Sequence, residues 1–131
     1  MQEVYDFLKE ADTYYLATVE GDQPRVRPFG TYVLFEDKLY IQTGKEKPVS
    51  KQMAINPKIE ICALLGEEWL RIEAEAVSDD RAEVQQAAMD QFPQLAGYGY
   101  AVGDGSMDVL CLQNATATFS SIGKEPKVVK F

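Results

Sequence analysis

Two short stretches of this chain carry side chains suited to gripping an anion. In Pro24-Arg25-Val26-Arg27-Pro28-Phe29-Gly30, the two arginines are two positions apart. On an extended strand that spacing puts Arg25 and Arg27 on one face and turns Val26 toward the core. Guanidinium N–H groups match a phosphate in paired fashion, which a lysine ammonium cannot do. The prolines stiffen the backbone and leave ladder positions unpaired, where flanking amides and carbonyls could face a planar ligand. The same pattern also suits an edge strand charged against aggregation.

The second stretch is Thr43-Gly44-Lys45-Glu46-Lys47-Pro48-Val49-Ser50-Lys51-Gln52. It runs from a strand end, through a glycine, into a helix start, where free amides and a partial positive charge attract anions. Thr43 adds a hydroxyl, and Lys45, Lys47 and Lys51 add charge. Lys47 and Lys51, four apart, would share a helix face. Ordinary solvated lysines would explain this stretch by itself. The two stretches gain weight together, because a hairpin at Asp37 would set the second and third strands side by side. The arginine face and the threonine-lysine turn could then converge on one ligand.

Composition narrows the chemistry further. The chain has no histidine, which removes the commonest metal ligand, general base and haem ligand. A Ser-His-Asp or Cys-His nucleophile is excluded, no metal site is expected, and no side chain stands out as catalytic. Any redox chemistry must come from a cofactor. From Arg25 to Lys58 there are seven basic and three acidic residues, a local +4 in a chain of net charge −8, leaving −12 elsewhere. Such a surface repels nucleic acid, while the basic stretch suits a small anion. No run of about 18 apolar residues exists, so no membrane span is expected. The start, MQEVYDFLKEAD, lacks the basic and apolar regions of a signal peptide, which points to the cytoplasm. Cys62 and Cys111 sit in apolar runs and read as two buried thiols.

The elements that must position these residues follow from periodicity. Val4, Phe7, Leu8 and Ala11 recur at helical spacing. TYYLATVE reads as a strand, PRVRPFGTYVLFE as a long interrupted strand, and KLYIQT as a third, forming a meander. EKPVSKQMAINP reads as a helix closed by Asn56-Pro57. KIEICALLG and EEWLRIEAEAVSD form a strand pair, with Trp69, Arg71, Glu73 and Glu75 on one face and Leu70, Ile72, Ala74 and Ala76 on the other. DDRAEVQQAAMDQF is a helix capped by Ser78 or Asp79. A loop with many glycines follows, LAGYGYAVGDGS; then MDVLCLQNATATFSS closes as a strand, and the tail KEPKVVKF offers a short extra one. About six strands in adjacent pairs argue a mainly β, antiparallel, closed or half-closed sheet. One domain over 1–131 is the economical reading.

The run YYLATVEGDQPRVRPFGTYVLFEDKLYIQTGKEKPVSKQMAINPKIEI resembles the N-terminal part of pyridoxamine 5′-phosphate oxidase-like proteins, nearest the branch of 5-nitroimidazole-resistance (Nim) flavoproteins. EEWLRIEAEAV matches the family's next strand pair, and the resemblance is clear over about residues 13–80. It implies a six-stranded antiparallel split barrel, a homodimer, and flavin mononucleotide (FMN) in a cleft between subunits. Carried over by position, Arg25, Val26, Arg27, Pro28 and Phe29 would lie along the isoalloxazine ring, with Arg27 reaching the phosphate. Thr43, Lys45, Lys47 and Lys51 would stand on the phosphate side, and Gln52 would add a contact. Pro48 stands where many relatives carry a basic residue, which shifts weight to Lys47 and Lys51. Trp69 and Arg71 would reach the flavin from the partner subunit, or serve packing alone.

The departures are equally specific. Nim relatives usually carry a histidine near the flavin, and its absence here puts nitroimidazole reduction in question. Lys124, Lys127 and Lys130 lack the arginine-plus-histidine surroundings that grip pyridoxal phosphate, so a pyridoxamine oxidase is not expected. The resemblance implies an FMN-dependent oxidoreductase taking electrons from a reduced nicotinamide to a small acceptor. The alternatives are a flavin-binding or sensing module without turnover, and a relative using a deazaflavin.

Overall fold

The computed structural model describes residues 1–131. The chain runs through helix α1 (Gln2–Ala11), strands β1 (Tyr14–Glu20), β2 (Gln23–Phe29), β3 (Val33–Phe35) and β4 (Lys38–Gly44), helix α2 (Pro48–Ile55), strands β5 (Lys58–Leu65) and β6 (Glu68–Ser78), and helix α3 (Ala82–Gln91). A 3-10 turn (Pro93–Tyr98) and strands β7 (Met107–Ser121) and β8 (Lys127–Lys130) complete it. All pairings are antiparallel, in the order β2-β1-β5-β6-β7-β4-β3, with β8 added on β7.

That order makes β2 and β3 the two ends of one sheet, yet only Gly30-Thr31-Tyr32 separates them in sequence. Four Cα steps span at most about 15 Å, so the sheet must curl until its ends nearly meet. Thr31 clasps the seam. Its hydroxyl donates to the Gln42 carbonyl at 3.1 Å and accepts from the Gln42 N–H at 3.0 Å. The buried Tyr14 hydroxyl donates to the Thr31 carbonyl from inside. A continuous cluster of 30 buried apolar residues fills the curled sheet, so the interior is packed rather than hollow. α1 closes one end with Val4, Phe7 and Leu8, Phe7 meeting Phe119 edge-on at 5.7 Å. No helix is long and apolar enough to cross a membrane.

The expected mainly β antiparallel barrel is present, but with eight strands rather than six. The long second strand is two strands on opposite ends of the sheet, because its glycine-containing middle is the crossing itself. The tail does add a strand. The meander is therefore corrected: β2 pairs with β1 and β3 with β4, so β2 and β4 are not neighbours in the ladder. Glu36 and Asp37, both at positive φ (52° and 58°), form the two-residue turn between Phe35 and Lys38, the left-handed geometry that matches strand twist.

Val26 does not face the core. It is 69% exposed, because β2 is an edge strand whose outward side no other element covers. Of the two thiols, Cys111 is buried but Cys62 is exposed, since it alternates with the inward Ile61 and Ala63. α3 has Arg81 at its N-cap rather than Ser78 or Asp79. Asp79 instead accepts the Arg81 N–H at 3.2 Å, and Ser78 donates to Asp108. The face assignment of β6 holds, with Leu70, Ile72, Ala74 and Ala76 buried.

Candidate functional site

The seam between the sheet ends leaves an open cleft of about 300 Å³, the lower end of the size range of small-molecule sites. One wall is the end of β2 and the crossing, Pro28 to Thr31. The other is Gln42, Thr43 and Lys47, and Leu95, Tyr98 and Tyr100 form a further side. The cleft thus joins the end of the first stretch, Pro28 to Gly30, to Thr43 and Lys47 of the second, across the seam rather than within a hairpin, and neither Arg25 nor Arg27 lines it.

Arg27, the residue before Pro28, is half-buried. Its guanidinium donates to the Leu16 carbonyl at 3.2 Å, the Thr18 hydroxyl at 2.7 Å and the Gln52 side-chain oxygen at 2.8 Å. All three acceptors are neutral. The nearby Glu20 carboxylate is engaged by Arg25 at 2.9 Å and by the Gln52 amide at 3.3 Å. Burial, and then repulsion by Arg25, push the Arg27 pKa down from its ordinary value, yet an arginine stays protonated. Arg27 therefore holds a partly desolvated charge with no carboxylate in ion-pair contact, a condition that an incoming anion would relieve.

The opposite wall carries polar residues of its own. Thr43 and Gln42 are only 4% and 5% exposed. The Gln42 amide donates to the Thr43 carbonyl at 3.0 Å. Both residues line the cleft, and no fully buried side-chain oxygen or nitrogen lacks a partner. Beneath them, buried Asp108 accepts from Ser50 at 2.6 Å and Ser78 at 2.7 Å. Ser50 lies in the first turn of α2, so this carboxylate anchors the helix start that carries Lys47.

The other expected site residues fall into separate groups. Arg25 shares a face with Arg27 but is paired with Glu20. Lys45 is bound to Asp80 at 2.7 Å, which raises the lysine's pKa. Lys47 lines the cleft from an extended N-cap position, so it does not share a helix face with the exposed Lys51. Gln52 is buried as the partner of Arg27 and Thr18. Trp69 lines a different depression with Leu64 and Ile122, and Arg71 another with Glu60 and Glu73. Within one chain neither joins the cleft.

Gln42, Thr31, Tyr98 and Tyr100 belong to the cleft but were not among the expected residues. The loop LAGYGYAVGDGS carries both tyrosines, but nothing local in its sequence says which surface they meet.

A family model described as pyridoxamine 5′-phosphate oxidase matches residues 1–121. The chain is similar over 100% of its length, at 41% identity and a TM-score of 0.95, to a NimC/NimA family protein from Clostridium acetobutylicum, 92% of which is covered. General Stress Protein 26 from Bacillus anthracis shares the fold at 13% identity and a TM-score of 0.74, with 99% and 97% coverage. HutZ, the heme storage protein from Vibrio cholerae, does so at 18% and 0.64, with 87% and 91% coverage. No curated protein matches the chain in sequence. A split barrel matched over nearly its whole length, both by a family model and by a 41%-identical structure, makes this chain a member of the pyridoxamine 5′-phosphate oxidase family, on its NimC/NimA branch.

Proposed function

We propose that the chain binds FMN in the seam cleft and acts as an oxidoreductase, passing electrons from a reduced nicotinamide to a small acceptor. The observation that carries this reading is a cleft that brings Pro28 to Gly30 at the end of β2 against Thr43 and Lys47, with the Arg27 guanidinium one residue before Pro28 holding a charge that no carboxylate pairs. Those groups suit a phosphate and the polar rim of a ring system. β2 is an edge strand, so its backbone away from β1 is free to meet the ring along Arg25–Phe29. Lys51 lies one helical turn beyond Lys47 and adds long-range attraction, while Lys45 is held by Asp80 until an anion competes for it. The flavin itself supplies the hydride and single-electron chemistry. The chain's residues bind and orient it and keep its phosphate end charge-matched.

The cleft is open on one side, and the outward face of β1, β2 and β5 exposes Tyr15, Val26 and Leu64 by 52%, 69% and 65%. This supports a homodimer in which a second copy covers that face, with Trp69 and Arg71 of the partner subunit facing the cofactor. We also place the protein in the cytoplasm, where an exposed free thiol such as Cys62 persists.

The test is the visible spectrum of the purified protein, followed by anaerobic mixing with NADH or NADPH. The expected result is a flavin band near ~450 nm that bleaches on mixing. A Soret band, or a colourless protein that takes up no added FMN, overturns the reading. A flavin band that resists both nucleotides reduces it to a binding module without turnover.

A further inference from the structure

We propose that Asp108 is a buried counterweight to the cleft: its charge offsets part of the attraction for a ligand's phosphate and keeps the flavin exchangeable. The inference rests on the flavin reading above.

Asp108 stands directly opposite Thr43 in the ladder of β4 and β7. Side chains of such a pair share one face of the sheet, their Cβ atoms about 4.5–5.5 Å apart. Thr43 lines the cleft beside Lys47, so the carboxylate lies just behind the wall where an anion would dock. Asp108 is 3% exposed, and salt and water screen a buried charge little. Its two oxygens are engaged separately, one by the Ser50 hydroxyl at 2.6 Å and one by the Ser78 hydroxyl at 2.7 Å. Those hydroxyls satisfy the oxygens without bringing any positive charge. No ion pair of the chain includes Asp108. Lys45 feels it, its pKa raised first by the bond to Asp80 and further by Asp108, but its ammonium is bound to Asp80 at 2.7 Å.

Fastening alone does not require a charge at this position. The two hydrogen bonds tie the first turn of α2 to the end of β6. An amide would tie them as well, accepting from one serine and donating to the other. What only the carboxylate adds is repulsion of a second anion. A phosphate in the cleft is therefore drawn by Arg27 and Lys47 and pushed by Asp108. One charge-assisted contact tightens binding by about 10- to 150-fold, and two unopposed ones would multiply. With the counterweight in place, the phosphate is left with about one contact's worth. Differences in affinity at one site act mostly on the rate of release, so the same charge sets how fast the flavin exchanges with solution.

The experiment titrates the full-length protein, freed of flavin, with riboflavin and with FMN, following flavin fluorescence. The ratio of the two Kd values isolates the phosphate. In the wild type that ratio is expected to stay below about a hundredfold. Asp108→Asn is expected to raise it by about fivefold or more, with riboflavin affinity within about twofold of wild type, and to slow FMN release by a similar factor. Ser78→Ala keeps the charge and loses one hydrogen bond, so its ratio should stay within about twofold of wild type. The sign separates charge from scaffolding: if Asp108 served only to hold α2, its replacement would loosen FMN rather than tighten it. An unchanged or lowered ratio in folded Asp108→Asn overturns the inference while leaving the flavin reading intact. So does a wild-type ratio above about a hundredfold, a measurement that needs no variant and stands even if Asp108→Asn fails to fold. Wild-type protein that binds neither flavin overturns both.

Discussion

Arg27 and Gln52 meet at 2.8 Å, guanidinium to side-chain oxygen, joining an edge strand to α2 across 25 residues of sequence. The same Gln52 oxygen accepts from the Thr18 hydroxyl at 2.6 Å. One buried amide thus orients the Arg27 guanidinium and ties β1 and β2 to α2. If the cofactor's phosphate docks against Arg27, then Arg27→Ala lowers FMN affinity by roughly 1.5–3 kcal/mol, the worth of a charge-assisted hydrogen bond. Fluorescence titration reads this as about a 10- to 150-fold rise in Kd. Unchanged affinity would remove Arg27 from the site.

Asp108 gives a prediction about stability rather than binding. It is 3% exposed and accepts from two serines. Asp108→Ala orphans both hydroxyls, costing about 2 kcal/mol or more. A lower urea midpoint with an unchanged m-value is the expected signature. A midpoint equal to wild type would mean that water replaces the carboxylate.

The tyrosines set the alkaline limit. Burial pushes the Tyr14 hydroxyl well above its ordinary value, and burial, then the charges of Cys111 and Asp79, push Tyr40 up to about 12. Their folded pKa values are raised, so the stability they contribute is complete below the unfolded tyrosine pKa near ~10 and is lost as pH rises above it. From pH ~10 to ~12 the unfolded chain releases protons that the folded one keeps, a fall of up to about 1.4 kcal/mol per pH unit for each tyrosine. Denaturation midpoints across that window check it. Tyr14→Phe should flatten the slope.

The two thiols report on the outer sheet face. Cys111 is buried, and desolvation raises its pKa, so it reacts with a thiol reagent only after unfolding. Cys62 lies opposite Tyr15 in the ladder, on the exposed face that a second copy would cover. Cys62 is expected to react slowly in the dimer and rapidly in Tyr15→Glu, which should also elute as a monomer. Fast Cys62 modification in a confirmed dimer would move the interface elsewhere.

Much of this protein was legible from local pattern. Alternation in Trp69–Ala76 assigned the faces of β6 correctly, because a strand with one buried side must alternate. Asn56-Pro57 marked the end of α2 because a proline restricts the residue before it locally. The absence of histidine set the range of possible chemistry before any fold was known. Gly30-Thr31-Tyr32 was different. Its residues signalled an interruption, but whether the chain bent within a sheet or crossed between the sheet's ends depends on which strand each half pairs with. That is a property of the whole sheet. The same decision put Val26 in solvent, joined Pro28 to Thr43 across a seam, and gave Tyr98 and Tyr100 a place beside Lys47. Side-chain types and spacing decided what the residues could do. Only the long-range pairing of strands decided which of them could do it together.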